Sequence, residues 1–266
     1  MPSWLGLDAP VVVTTWCLAV AQATAQKPPV KSLAVLFLVV WSIYLTDRKV
    51  DVVRCTDWSG VSGRMEFGRR WFWLFAACLV ICVSGLIALF ALRIPYEVIR
   101  RGLLVSAGLA LYFVLFVWPL VFRRKLPGKE FGVGLFFALG CYCVLGGGAS
   151  PPALFAGVAL VVAYNCLVIA ARDREVDRTI DPGAASQWWR GIDTHLVYTG
   201  TLLLVLALKI SMLGPTVIFF AEIAVAFFLL LILHLNAKRF SSDSVRALAD
   251  FCLLTPWPVL VWQCVT

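Results

Sequence analysis

Nine apolar stretches, separated by short charged segments, constrain this chain more than any other feature of its sequence. They cover approximately residues 9–25, 32–46, 71–92, 102–122, 131–149, 152–171, 195–213, 215–235 and 247–265. A helix that crosses a membrane needs about 20 mainly apolar residues, because the hydrocarbon layer is roughly 30 Å thick. The stretches approach that length and leave no separate soluble domain. The sequence therefore predicts an all-α, polytopic membrane protein with a single domain over residues 1–266.

Composition agrees with this prediction. The chain is 61% hydrophobic and 14% charged, whereas a soluble domain carries about 25% charged residues. The excess of apolar surface needs lipid as its solvent. The nine cysteines show no paired Cys-x-x-Cys spacing that would indicate zinc, so they are interpreted as small packing residues.

Basic residues mark one side of the predicted helices. Of 23 Lys and Arg, 17 lie after the second, fourth, sixth and eighth stretches, and six lie elsewhere. Short loops rich in Lys and Arg remain in the cytoplasm, so these four loops and the N-terminus are predicted to be cytoplasmic and the C-terminus to face out. The formal net charge of +8 is then an orientation signal, and no nucleic acid partner is expected.

Carboxylates cluster at the ends of two stretches. Asp47 and Asp51 follow the second stretch, and Asp173, Asp177 and Asp181 follow the sixth. Side chains four residues apart lie on one face of a helix, so each group forms an acidic ladder. Two such ladders on one membrane side are suited to face each other across a cavity and to hold Mg²⁺, which prefers oxygen ligands.

A simpler interpretation of the ladders stays open. Basic residues are interleaved with the acids, so both segments are also compatible with ordinary solvated charges that neutralise one another. These interleaved residues are Arg48, Lys49, Arg174 and Arg178.

With nine predicted helices, two acidic ladders and a basic segment after Trp118-Pro119, the sequence resembles the UbiA superfamily of intramembrane prenyltransferases. That family carries Asn-Asp-x-x-Asp-x-x-x-Asp after its second helix and Asp-x-x-x-Asp-x-x-x-Asp after its sixth. The second ladder matches its pattern in full. The first ladder supplies only the last two acids, because Ile43 and Tyr44 occupy the opening Asn-Asp positions.

The resemblance implies a nine-transmembrane-helix bundle with a central cavity open to the cytoplasmic side. It also implies Mg²⁺-dependent transfer of a prenyl group from an isoprenoid diphosphate to a lipophilic acceptor within the membrane lipid. The implied catalytic acids are Asp47, Asp51, Asp173 and Asp177, which with Asp181 would also be the metal ligands. The implied diphosphate-binding residues are Arg54, Arg123, Arg124, Lys125, Lys129 and Arg174. Residues expected in the cavity wall are Trp41, Tyr44, Tyr164 and Asn165.

Two alternatives to a transferase remain at this point. A terpene cyclase on the same fold would use the same acids, with the cation captured by its own chain. A catalytically degenerate relative would bind lipid or a protein partner, as the loss of Asn and Asp at Ile43 and Tyr44 indicates. The prenyl chain length, the acceptor and the oligomeric state have no signal in the sequence.

The predicted topology is testable by cysteine accessibility in a cysteine-free background. Single cysteines at positions 64, 125 and 187 should react only after the membrane is permeabilised, because the basic loops stay in the cytoplasm. A cysteine at position 266 should react in intact cells. Labelling of position 125 from outside intact cells would contradict the assignment.

Overall fold

The computed structural model describes residues 2–55, 63–91, 94–112, 114, 128–146, 151–180, 183–214 and 216–265. Those residues form helices joined by turns, and no strand occurs among them. Their α-helices are α1 (Asp8–Ala23), α2 (Val30–Arg54), α3 (Gly63–Arg70), α4 (Phe72–Ala91), α5 (Tyr96–Tyr112), α6 (Lys129–Leu145), α7 (Pro152–Arg172), α8 (Arg174–Ile180), α9 (Ala185–Trp188), α10 (Ile192–Ser211), α11 (Val217–Asn236), α12 (Ser242–Cys252) and α13 (Trp257–Val265).

Six helical segments of this part of the chain are long and apolar enough to cross a membrane. They are Val30–Val53, Phe72–Ala91, Pro152–Arg172, Ile192–Ser211, Val217–Arg239 and Ser242–Gln263. The chain is accordingly a multi-pass membrane protein. The predicted number of nine stays a prediction, because α1 has 16 residues and α5 and α6 have 17 each. The fourth predicted stretch also continues to residue 122, beyond the last described residues of α5.

The short helix α1 is the most enclosed element. Val13, Trp16 and Val20 have no exposed surface, and α1 contacts α2, α6, α7, α11, α12 and α13. The Trp16 ring packs edge-on against Phe219 of α11, with 5.8 Å between centroids. The indole Nε1 of Trp257 on α13 donates to the Thr15 hydroxyl at 2.9 Å. A helix surrounded by protein in this way needs no lipid-facing surface of its own.

Small residues let neighbouring helices approach closely. A Cβ atom added at Gly134 of α6 would lie 2.9 Å from the backbone nitrogen of Ala163 on α7 and nearer still to the carbonyl oxygen of Ala159. Glycine at such a contact brings two helix backbones together, which is common in membrane bundles. The α6–α7 pair therefore depends on this position.

The outer surface is strongly apolar. On α4, Trp73 is 81% exposed and Ile87 is 65% exposed, and Leu104 on α5 is 71% exposed. Soluble proteins rarely expose contiguous apolar surface of this kind. Contact with lipid tails accounts for it.

Several helices differ from their predicted bounds, among them α5, which begins at Tyr96 and not near residue 102. The second predicted stretch ends at residue 46, whereas α2 continues to Arg54 and carries Asp47 and Asp51 within the helix. The ninth predicted stretch is interrupted by a turn between α12 and α13. Pro256 lies in this turn and has no backbone N–H to donate, while the Thr255 hydroxyl donates to the carbonyl oxygen of Glu222 at 3.1 Å.

The α6–α7 contact gives a stability prediction. Gly134→Ala should lower the free energy of unfolding by about 1–3 kcal/mol, because the new methyl group forces the two backbones apart. The matched control is Gly102→Ala on α5, where an added Cβ meets nothing within 4 Å. Thermal unfolding in detergent should show a loss for the first variant and none for the second. Equal stability of the two variants would contradict the proposed packing.

Candidate functional site

A cavity of about 410 Å³ lies between the helices. Its wall is built mainly from one face each of α2, α5, α6 and α7, with additions from α1, α3, α8 and α12. On α2 the lining residues run from Ser32 to Asp51 at helical intervals. At 1.5 Å per residue, this face is roughly 28 Å long. The cavity wall therefore follows most of a membrane-crossing helix.

The two ends of the cavity differ in chemistry. One end, called the charged end below, is lined by the acids Asp47, Asp51, Glu130, Asp173 and Asp177 and by the bases Arg48, Arg64, Lys129 and Arg246. The remainder, called the apolar section, includes Val35, Leu36, Val39, Val40, Val105, Leu109, Phe136, Phe137 and Val144. Such a cavity matches a molecule with a charged head and a long hydrocarbon tail.

Both acidic ladders contribute to the charged end. Asp47 and Asp51 lie on α2, Asp173 is the residue at which α7 ends, and Asp177 lies on α8. All four line the same cavity. The two ladders therefore border the same cavity.

The second ladder is buried and already has protein partners. Asp173 is 2% exposed, forms an ion pair with Arg246 and accepts a hydrogen bond from the Ser242 hydroxyl. Asp177 is 9% exposed and accepts a hydrogen bond from the Ser186 hydroxyl at 3.3 Å. Burial raises the pKa of Asp177 to about 6, and the negative charge of Asp173 adds to this, against the lowering effects of Lys129 and Arg246.

Sequence reasoning missed several residues of the charged end. Arg246 follows the eighth apolar stretch, where the sequence marks it only as one of the basic loop residues, yet it lines the cavity and forms an ion pair with Asp173. Glu130 is 2% exposed and accepts a hydrogen bond from the backbone N–H of Ala185 at 2.8 Å. Its Oε2 has no hydrogen-bond partner among the described residues. An acid at the border of an apolar stretch was the available signal for Glu130.

Among the remaining residues predicted to bind the diphosphate or the metal, only Arg174 has a described side chain. The side chain of Arg174 is 46% exposed and pairs with Asp193 at 3.5 Å, outside the cavity wall. The side chain of Arg54 is not among the described ones. Arg123, Arg124, Lys125 and Asp181 lie outside the described residues.

Of the four residues expected in the cavity wall, two line the cavity and two do not. Tyr44 and Asn165 line the cavity. Trp41 and Tyr164 do not, because each is rotated on its helix away from the lining face. The Trp41 indole donates to the carbonyl oxygen of Leu5 at 3.0 Å, and the Tyr164 hydroxyl donates to the carbonyl oxygen of Leu196 at 3.0 Å. Both therefore pack between helices, which corrects their expected place.

The charge balance of the cavity bears on whether it fits Mg²⁺. Seven carboxylic acids and four basic side chains line it, so the wall has an excess of acids. Among the described residues, however, no group of three or more His, Cys, Asp or Glu side chains is placed to hold a metal ion. Mg²⁺ usually binds through one or two carboxylates together with substrate phosphates and waters. The residues fit an ion that is completed by a bound phosphate group better than a preassembled metal centre.

Comparisons with protein-family models, with curated proteins and with solved structures find no match to this chain.

Asp177 gives a pH-dependent stability prediction. With its pKa raised from 3.8 to about 6, the folded state favours the neutral acid. This contribution to stability is present in full below about pH 4 and is lost as the pH rises through about 6. Asp177→Asn should therefore raise the free energy of unfolding at pH 8, by up to about 3 kcal/mol, and leave it nearly unchanged at pH 4.

Thermal unfolding in metal-free detergent solution at both pH values would measure this effect. Asp193→Asn is the control, because the Asp193 side chain is 61% exposed. The same gain at both pH values would show that loss of charge is not its cause.

Proposed function

We propose that the protein transfers a prenyl group from an isoprenoid diphosphate to a lipophilic acceptor, as a divergent member of the UbiA superfamily. The observation that carries this proposal is the division of one cavity into a charged end and a long apolar section. A prenyl diphosphate has the same division. The charged end would receive the diphosphate, and the apolar section would receive the isoprenoid tail and exclude water.

The basic residues of the charged end would bind the diphosphate. Arg48, Lys129 and Arg246 line this end and would donate charge-assisted hydrogen bonds to phosphate oxygens. These bonds strengthen as negative charge develops on the leaving group, so they favour breakage of the carbon–oxygen bond. Mg²⁺ bound with the diphosphate by Asp47, Asp51, Asp173 and Asp177 would neutralise further charge.

The wall next to the charged end is suited to an allylic cation. Tyr44, Tyr112 and Phe136 contribute aromatic rings to the cavity wall. The faces of aromatic rings attract cations, most strongly where water is excluded. The acceptor would then attack the cation from within the same cavity, and the proton that it loses would pass to a carboxylate of the wall. The charged end is proposed to open to the cytoplasm, in line with the distribution of basic residues.

Substitutions in the two ladders test the proposal. Asp173→Asn and Asp177→Asn should each lower Mg²⁺-dependent diphosphate release on the order of 100-fold, because the complete ladder supplies more anionic ligands. Asp47→Asn and Asp51→Asn should lower it less, and Asp181→Asn least. Release would be measured with purified protein and prenyl diphosphates of several lengths, with and without membrane lipid extract as a source of acceptor.

The matched control is Asp193→Asn, which removes a carboxylate that is paired with an arginine but lies outside the cavity. It should retain wild-type release. If folded wild-type protein neither releases diphosphate nor binds prenyl diphosphate in the presence of Mg²⁺, the transferase proposal fails.

A second candidate function is lipid binding without catalysis. It is favoured by the absence of a ready-made metal-binding group among the described residues and by Ile43 in the cavity wall, where the family has Asn. This candidate predicts tight binding of a prenyl lipid whose affinity does not change with Mg²⁺. Restoring the family residues with Ile43→Asn and Tyr44→Asp should then introduce Mg²⁺ dependence.

A further inference from the structure

A second polar group lines the cavity away from the two ladders. It consists of Asp8 at the start of α1, Asp250 near the end of α12 and Asn165 in the middle of α7. Three separate helices therefore place one polar side chain each at the same part of the wall. The sequence singled out only Asn165 of these three.

The two carboxyl groups line the same part of the wall, both in the main cavity and in a smaller one beside it. An ionised carboxylate has only acceptor atoms. Asp8 accepts the backbone N–H of Ala9 at 3.1 Å, and Asp250 accepts the side-chain amide of Asn165 at 3.2 Å. The group therefore presents mainly acceptor oxygens to the cavity.

Asn165 provides an independent indication of a ligand. Its side chain is 4% exposed, and its carbonyl Oδ1 has no hydrogen-bond partner among the described residues. A buried carbonyl oxygen without a partner is costly, because it has lost its water without gaining a donor. A ligand that donates a hydrogen bond into the cavity would satisfy it.

This group lies close to the charged end. Asp250 and Arg246 are four residues apart on α12, so they share a face and are separated by about 6 Å along the helix axis. Arg246 in turn forms an ion pair with Asp173, so α12 carries Asp250 one helical turn from a residue that contacts the second ladder. A ligand bound by this group would lie beside the reactive end of a diphosphate bound at the charged end.

The chemistry of the three side chains favours a hydroxyl group as the donor. A small cavity of about 20 Å³ adjoins the group and is lined by Asp8, Asp243 and Asp250 and by Arg64 and Arg246, so basic side chains are already present beside the acids. A hydroxyl group can donate to the neutral Asn165 carbonyl without a charge being buried, whereas an ammonium group would have to lose its hydration to do so.

We infer that Asp8, Asp250 and Asn165 form a subsite that binds the hydroxyl group of a lipophilic ligand. This identification of the ligand as the prenyl acceptor rests on the proposed function, whereas the recognition of a hydroxyl group rests on the three side chains alone. The rest of the ligand would lie along the apolar section.

Ligand competition in the absence of prenyl diphosphate tests this inference. Purified protein in nanodiscs would be incubated with tritiated 4-dodecylphenol and with unlabelled competitors. The methyl ether, 4-dodecylanisole, should compete at least about tenfold more weakly than 4-dodecylphenol, because it has no hydrogen to donate to the acceptor atoms. Dodecylammonium should also compete more weakly than the phenol.

Three variants assign the selectivity to the subsite. Asn165→Leu removes the unpartnered carbonyl and should bring the phenol and the ether to within about twofold of each other. Asp250→Asn keeps the size of the side chain and an oxygen that can accept from the Asn165 amide, and should reduce the preference several-fold. Asp193→Asn is the matched control, because it makes the same change at a carboxylate that is 61% exposed and lines neither cavity, and it should keep the wild-type preference.

Three outcomes would overturn the inference: equal competition by phenol and ether in the wild type, stronger competition by dodecylammonium, and an unchanged preference in Asp250→Asn. None of them depends on turnover, so the inference and the proposed function can fail separately. Loss of diphosphate release with intact phenol selectivity would count against the transferase alone.

Discussion

The ion pair between Asp173 and Arg246 joins the end of α7 to α12 at the charged end of the cavity. Asp173 is almost fully buried, and breaking a buried pair by removing one partner costs about 3–5 kcal/mol. The pair therefore holds α12 against the end of α7 beside the second ladder. Asp250 lies one turn further along α12, so the position of the group formed by Asp8, Asp250 and Asn165 also depends on this connection.

A membrane bundle places a strict condition on such a site. Carboxylates are costly in an apolar interior unless they are paired, protonated or bound to a cation. Two of these solutions occur along the cavity wall: Asp173 is paired with Arg246, and burial raises the pKa of Asp177 to about 6. The remaining excess of acids is what a cationic or hydrogen-bond-donating ligand would relieve.

The same cavity joins polar chemistry to a long apolar wall. Helical stripes on α2, α5, α6 and α7 extend from the charged end towards the other side of the bundle. Because each stripe is one face of a helix, a ligand tail can lie parallel to the helix axes over much of their length. This geometry would accommodate a hydrophobic chain and the proposed transfer reaction in one place.

The sequence by itself determined the helical class and the membrane environment, since apolar stretches of this length have few other solutions. It also located both acidic ladders, because charged residues beside apolar helices stand out. Tertiary structure alone decided which residues meet. Asp8, Glu130 and Arg246 come from distant parts of the chain, and Trp41 and Tyr164 are turned from the cavity by rotation of α2 and α7. Helix rotation and packing depend on contacts between distant residues, which local patterns do not encode.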